Sequence, residues 1–571
     1  MTSTEQIFGP GVRRTKGEQS RRYNLLAAKL IAELVKNLLG PRGMEKMFID
    51  VLGEVTVTKD GATLLRKIDV EHPAAKILIE ASNAVDNEVG DGTTSAVVLA
   101  GALVEKAEEL LDMGIAPATI IDGYLRGLQI CLEGLQKLAK RFRNCDKKVI
   151  AALAITSIRS KLISHISFEE KMIAKLLADA TCTVADFGNR RIEVNDIKIE
   201  EKIGNTMETI LVNGVVLDKT IDNSAMPRAV ENAKVLLIDE GLEGKRTRID
   251  AEITIDSPHQ MQSFLDKERL ITTSKVQSII KSGANVVISQ KGISALAQNQ
   301  LSKAGIVSIK RVKENDMLWL KKATNATVIR DLSSGIIHTQ YFGYADKVYE
   351  RFVGDDKMVF VEGCKNPKSV TILLRAASKK LLDEYHRSVL DVLSVIRNFI
   401  VRPYIVGGGG SCEMLLARKV RKKAISIRSR EQTVLQKFAA ALEEIPLTIA
   451  RNAGMNTMDT LAQLRTKHKY HHPSNNCRAH WFGIDAINRK VVEIYSQHVI
   501  EPSLVKEQII KSAVEVTTLL IRVDDVLMAK PTLNTHTHAD GTRHSHAGGN
   551  EKHDHYFDKL GKRQRPAHHF Y

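Results

Sequence analysis

Apolar residues recur at helical spacing near the N-terminus. Leu26, Leu30, Leu34 and Leu38, with Ile31 and Val35 beside them, predict a helix over 18–39. Gly40-Pro41 ends it, because glycine accepts a left-handed exit and proline cannot continue the ladder. Glu54–Thr58 alternates as a strand does, Lys59-Asp60-Gly61-Ala62-Thr63 reads as a turn, and a helical stretch starts at Leu64. After Val89-Gly90-Asp91-Gly92-Thr93-Thr94-Ser95 an apolar run continues helically to about Gly114, and 115–180 is helical again. From about 190 to 240 the texture changes to short β-type runs, Ile197–Ile199, Ile210–Val212 and Val235–Ile238. Asp256-Ser257-Pro258 then starts a helix, and two buried-type strands, Val286–Ile288 and Ile306–Ile309, alternate with helices around Ser294–Ala304 and Asp316–Ala323. Val370–Leu374 is a strand and Lys379–Asn398 a long helix. Ile405-Val406 leads through Gly407–Gly410 into a helix at Glu413–Lys419. The order is helical, mixed, α/β, mixed, helical, which predicts a middle domain inserted into an outer one.

Composition adds bounds. A chain of 571 residues exceeds one core, so about three or four domains are expected. Hydrophobic residues make up 43% and charged residues 26%, the balance of a soluble globular protein, and no apolar stretch approaches a membrane span. Met1–Gly17 has no signal-peptide pattern. The six cysteines, Cys131, Cys145, Cys182, Cys364, Cys412 and Cys477, form no CxxC pair, which suits reduced thiols in a cytoplasmic protein. The net charge of +16 is spread over Arg13–Arg22, Lys419–Arg430 and Lys467–Arg478 without an aromatic-interleaved stripe, so no specific nucleic-acid partner is expected. From Thr535 the tail carries eight of the 18 histidines among Gly, Asp and Thr and is read as a disordered, solvated segment. Its H-x-H pairs are weak metal ligands at most.

The glycine turns carry the candidate chemistry. A helix opening at Thr93-Thr94-Ser95 points free N–H groups and its positive dipole end at whatever precedes it. Asp91 is able to hold a divalent cation, and the three hydroxyls to donate to phosphate oxygens. The alternative is an ordinary Asp-Gly turn followed by a Thr/Ser-capped helix. Gly40-Pro41-Arg42-Gly43 and Gly407–Gly410 are further places where backbone can approach a ligand closely. None of these is a Walker A loop.

Taken in order, Leu39-Gly40-Pro41-Arg42-Gly43-Met44, Lys59-Asp60-Gly61-Ala62-Thr63, Gly90-Asp91-Gly92-Thr93-Thr94-Ser95 and Gly407–Gly410 resemble the chaperonins, in particular group II: the archaeal thermosome and the eukaryotic cytosolic chaperonin of the TCP-1 family. His72-Pro73-Ala74-Ala75-Lys76, Gly283-Ala284-Asn285-Val286-Val287, Val353-Gly354-Asp355-Asp356-Lys357-Met358 and Asn452-Ala453-Gly454 extend the match, which runs from about residue 10 to 528. The resemblance implies a multi-domain α+β fold. A mostly helical equatorial domain comes from 1–147 and 402–530, and a mixed intermediate domain from 148–216 and 368–401. An inserted α/β apical domain, 217–367, carries a helical protrusion near Leu242–Lys281, and the His-rich tail is 531–571. It implies an ATP-driven chaperone that encloses unfolded polypeptides in a double ring of identical or paralogous subunits, eight or nine per ring, with a built-in lid. Met261, Phe264 and Leu265 on the protrusion are either core packing or a lid and substrate surface.

Residue by residue, the resemblance makes Asp91 a Mg2+ ligand and Gly92, Thr93, Thr94 and Ser95 the ATP phosphate turn. Leu39, Gly40 and Pro41 become a loop against the nucleotide, Lys161 a γ-phosphate sensor, Gly408 part of the adenosine-side loop, and Glu501 an acid at the ribose. Asp60 and Asp391 become the catalytic acids, Asp60 near the γ-phosphate and the attacking water, and Asp391 swung in by the hinge domain to orient that water. The chain also departs from the family: Leu38 stands for a Thr, Ala376-Ala377 for two glycines, and the basic charge and His-rich tail are unusual. These departures leave an alternative open, an ATPase-impaired or non-enzymatic subunit of a mixed ring.

Overall fold

The computed structural model describes residues 13–142, 146–161, 167–243, 258–332, 336–365, 367–469, 481–528, 533–537 and 543–547. The chain divides into two compact units, Met1–Tyr23 with Val523–Tyr571, and Asn24–Arg522. In the smaller unit, strand Arg13–Lys16 pairs antiparallel with Asp525–Met528, Arg14 opposite Leu527. The Arg14 guanidinium donates to Asp525 Oδ2 at 2.7 Å. In the tail, where the sequence suggests no order, Leu533–Thr537 pairs antiparallel with Arg543–Ala547.

The larger unit is mixed α and β, with three main apolar cores. One draws on residues between 25 and 135 and again between 406 and 521. Its central helix, Thr93–Asp112, is apolar and buried from Ala96 to Val104, and its last two turns carry Glu105, Lys106, Glu108, Glu109 and Asp112 on the outer side. Helices Pro117–Leu138, Glu431–Asn452 and Ser503–Arg522 surround it. Tyr124 locks two of these neighbours: its ring meets Phe438 edge-on at 5.5 Å, and its hydroxyl donates to the Leu103 carbonyl at 2.8 Å. The helix predicted over 18–39 is Gly17–Lys36, and the run after Gly92 ends at Asp112, with Gly114 left-handed two residues on.

The second core, between 215 and 364, fills a seven-stranded sheet. Val307–Ile309, Val286–Ser289 and Ala229–Ile238 run parallel, then Gly343–Val353, Asp356–Glu362 and Gly214–Leu217 continue antiparallel. Val328–Ile329 pairs beside Ala229–Ile238. The sequence reading does not find the hairpin Gly343–Val353/Asp356–Glu362. Its first strand alternates short buried positions with Tyr344, Asp346, Lys347 and Arg351, and that charge hides the period of two. Helix Pro258–Ser282 follows the sheet's central strand. Residues 244–257 of the expected protrusion and the side chains of Met261, Phe264 and Leu265 lie outside the described residues.

The third core joins helices Lys147–Arg159, Ser167–Val184 and Lys379–Val401 to a three-stranded sheet, Ile197–Ile203, Val370–Ala376 and Ile210–Val212. The 115–180 stretch read as one helical texture is three helices, the first break at Ala139 and the second after Arg159. Among the described residues no helix is long and apolar enough to cross a membrane, and Cys131, Cys182, Cys364 and Cys412 form no disulfide.

Candidate functional site

A cavity of about 340 Å³ opens where three glycine turns meet. The first is built at the junction of two helices. Pro73–Val89 ends on left-handed Gly90, and Gly92, at φ 84°, is the N-cap of Thr93–Asp112. A side chain at Gly92 is strained by its φ and would require Ile509, whose Cδ1 would lie 2.6 Å from a Cβ, to shift. No side chain caps this helix, so the Thr/Ser-capped alternative is not what forms. The free N–H groups of its first turn belong to Thr93, Thr94 and Ser95, all three in the cavity wall. Helix Ser411–Ala424 also starts on a left-handed glycine, Gly410, without a side-chain cap, and Gly410 lines the cavity too.

Leu39, Gly40, Pro41, Asp91, Lys161 and Glu501 complete most of the predicted set in the wall, with Leu38 beside them. Gly408 is not in the wall. Its N–H donates to the Val499 carbonyl at 3.0 Å, and a Cβ there would meet Glu501 Oε1 at 2.8 Å, so it sits behind the acid while Gly409 and Gly410 face the cavity. Strand Tyr404–Gly407 pairs with Ile500–Pro502, placing Val406 opposite Glu501.

Asp60 and Asp391, the expected catalytic acids, are not in the wall; they stand behind it and are joined to it by Lys161. The buried Lys161 ammonium lies 2.7 Å from Asp391 Oδ2, 3.6 Å from Asp60 Oδ1 and 4.0 Å from Asp91 Oδ1. Burial alone pulls this lysine down, yet the three carboxylates hold it well above its ordinary value. Burial pushes Asp391 up to about 7, with Asp60 and Asp91 adding repulsion against the pull of Lys161. Asp60 is buried as well, but Lys161 and the Thr63 N–H, which donates to Asp60 Oδ2 at 2.7 Å, keep it below the usual carboxylate range. Asp60 thereby also caps helix Gly61–Lys67, and its Oδ1 accepts from the Thr93 hydroxyl at 3.4 Å.

One ammonium thus faces three acids. Among the described residues no three His, Cys, Asp or Glu side chains converge closely enough to hold a metal alone. A hard cation that takes one or two carboxylates and completes its shell from phosphate oxygens and water fits such a donor set, as magnesium does.

Sequence reasoning misses several wall residues. Ser157, in the last turn of helix Lys147–Arg159, donates to Asp91 Oδ2 at 3.1 Å, and nothing in the local sequence marks it out. Lys59 reaches the Pro41 carbonyl at 3.2 Å, and burial lowers it to about 8. Lys506 binds Glu413 Oε1 at 2.8 Å and Glu501 Oε2 at 2.7 Å, tying the start of helix Ser411–Ala424 to strand Ile500–Pro502. Its partners are 93 and 5 residues away in sequence, so only the fold reveals the cluster.

Residues 31–531 match the TCP-1/cpn60 chaperonin family. The chain is 43% identical over 527 residues to thermosome subunit beta of Archaeoglobus fulgidus, covering 92% of this chain and 94% of the relative. It is 43% identical over 534 residues to thermosome subunit alpha of Sulfolobus acidocaldarius, with the same coverage. Over 559 residues it is 42% identical to thermosome subunit alpha of Saccharolobus solfataricus, covering 96% and 98%. With motifs, cavity and full-length similarity in one register, the chain belongs to the TCP-1/cpn60 chaperonin family, on its group II, thermosome-like side.

Proposed function

We propose that this chaperonin subunit hydrolyses ATP with magnesium and uses the cycle to enclose and fold unfolded polypeptides in a cytoplasmic double ring of identical or paralogous subunits. The observation that carries the reading is the Lys161 cluster: three acids from distant segments meet one ammonium beside a cavity with two uncapped helix N-termini. Phosphoryl transfer to water needs positioning and charge neutralisation more than covalent chemistry, and this is what such a site supplies.

The N–H groups and hydroxyls of Thr93, Thr94 and Ser95 hold the ATP phosphates, with Lys161 at the γ-phosphate and Lys59 adding positive charge at the wall. Asp91, oriented by Ser157, would hold Mg2+, which when bound neutralises phosphate charge. Leu39, Gly40 and Pro41 cover one side of the nucleotide. Gly409, Gly410 and Glu501 receive the adenosine side, with Gly408 supporting Glu501 from behind. Asp60 and Asp391 orient the attacking water, and Asp391, poised near neutrality, accepts its proton. The domain plan supports a closing motion: the core between 25 and 135 and 406 and 521 is the equatorial domain, the Lys379–Val401 core the intermediate domain, and the seven-stranded sheet the apical domain. Asp391 then comes from a different domain than Asp60 and Asp91, so closure completes the site.

The test is magnesium-dependent ATP hydrolysis by ring-sized material beside Asp391→Ala. Hydrolysis that collapses in the variant while ATP still binds supports the reading. Intact rings with no hydrolysis in either protein would point instead to a non-enzymatic subunit of a mixed ring.

A further inference from the structure

Helix Lys379–Val401 brings more than Asp391 to the site. Glu384, Ser388, Asp391 and Val395 fall at helical spacing along one stripe. Beyond Asp391 the helix is seated on the phosphate turn. Asn398 Nδ2 donates to the Val89 carbonyl at 2.8 Å, and Arg397 to the Glu88 carbonyl at 2.9 Å. A Cβ at Gly90 would stand 2.4 Å from Ser394 Cβ, so the missing side chain is what lets turn and helix meet.

Two turns before Asp391, the buried Glu384 carboxylate touches the segment that leads into Asp60. Thr58 Oγ1 lies 3.2 Å and 3.3 Å from its two oxygens and donates its single proton there. The same hydroxyl accepts the backbone N–H of Asp60 at 3.1 Å. Glu384 also pairs with Arg387, three residues on in the same helix. That ion pair travels with the helix wherever it goes. The bond to Thr58 crosses to another segment and exists only while the helix is docked.

We infer that Glu384 is a positioning residue for hydrolysis: through Thr58 it holds the backbone at Asp60, so one docked helix sets both catalytic acids. Asp391 is presented directly, and Asp60 is fixed through the Glu384–Thr58 relay. The inference rests on the ATPase reading given above. It assigns the strand end at Thr58 a part in sensing closure that neither its exposure nor its distance from the cavity suggests, since Thr58 and Glu384 are both buried outside the cavity wall.

The experiment is steady-state magnesium-ATP hydrolysis by the full-length, assembled protein. In Thr58→Val, kcat falls about tenfold while KM for ATP stays within about twofold, the split expected when only the transition state loses support. Thr58→Ser, which keeps the hydroxyl, restores at least about half of kcat. Glu384→Ala lowers kcat as Thr58→Val does. The double variant is no more than about twofold worse than the poorer single, because both interrupt the same Glu384–Thr58–Asp60 relay. The inference is overturned by a Thr58→Val kcat within about twofold of the parent, by a rise in KM at unchanged kcat, by failure of serine to rescue, or by additive losses in the double variant. Absence of hydrolysis in the unsubstituted protein would remove the ATPase reading itself, and this inference with it, before any substitution is compared.

Discussion

Two buried ion clusters in this molecule are built on opposite principles. Around Glu443 one acid is met by two arginines: Arg421 Nη2 lies 2.7 Å from Oε2, and Arg465 reaches Oε1 at 3.1 Å and Oε2 at 2.6 Å. The arginines hold Glu443 below the usual carboxylate range despite its burial. Around Lys161 one ammonium is shared by Asp60, Asp91 and Asp391, and burial with mutual repulsion drives one acid up to about 7. The first cluster satisfies itself and lies outside the cavity wall. The second is short of positive charge, and its Lys161 and Asp91 line the wall. A structural ion cluster closes on its own partners, whereas a binding site is left open in the currency its ligand brings.

The comparison is broken most strongly at Asp391. Asp391→Ala should lower the kcat of ATP hydrolysis by about a hundredfold or more, the scale of a lost acid–base group, while nucleotide affinity by calorimetry changes little. Lys161→Met leaves buried Asp60 and the partly buried Asp91 and Asp391 without their cation. A loss of about 3–5 kcal/mol in unfolding free energy is expected, as for a broken buried pair, read by denaturant titration in nucleotide-free buffer. Glu443→Gln should cost less, about 1–3 kcal/mol, because it removes charged hydrogen bonds from partly exposed arginines, and kcat of the folded material should not change. A common fall in kcat and stability for that variant would erase the distinction between the two clusters.

The smallest effect is in pH. Asp391 rises from 3.8 to about 7 on folding, so the folded protein binds the extra proton between those values. Stability from this group is therefore undiminished below about pH 4, falls as pH rises, and reaches its full cost above about pH 7. Asp391→Asn should melt higher than the parent at pH 8 by a few degrees, with the gap closing toward pH 5, in magnesium- and nucleotide-free protein. A gap independent of pH would mean that another group titrates there.

Local chemistry made many of the elements legible. The Leu26–Leu38 repeat and Gly40-Pro41 located the first helix to within a few residues, and Gly90-Asp91-Gly92 located the helix entrance at Thr93. These are steric statements about φ and side-chain period, and each is complete within one turn of chain. The hairpin Gly343–Val353/Asp356–Glu362 was not legible, because its charged positions are tolerated only where the sheet leaves one face open. Among the site residues, Asp91 and Thr93–Ser95 stood out by themselves, while Asp60, Lys161, Asp391 and Glu501 were found through family likeness. Lys59, Ser157 and Lys506 carried no distinguishing pattern.

The order of most turns and helices, the helix entrance at Thr93 and the family of the chain follow from residues and their spacing, whereas the absence of a side-chain cap that leaves the first-turn N–H groups free is decided by the fold. Which glycine faces the cavity, Gly409 and Gly410 rather than Gly408, depends on how strand Tyr404–Gly407 pairs with Ile500–Pro502. That Asp391 meets Lys161 at 2.7 Å, some 230 positions away in sequence, depends on helix Lys379–Val401 seating against Gly90. The physical reason is range. Backbone sterics and amphipathic period act between neighbours, whereas burial and charge coupling exist only after packing has excluded water and brought distant groups within a few ångströms.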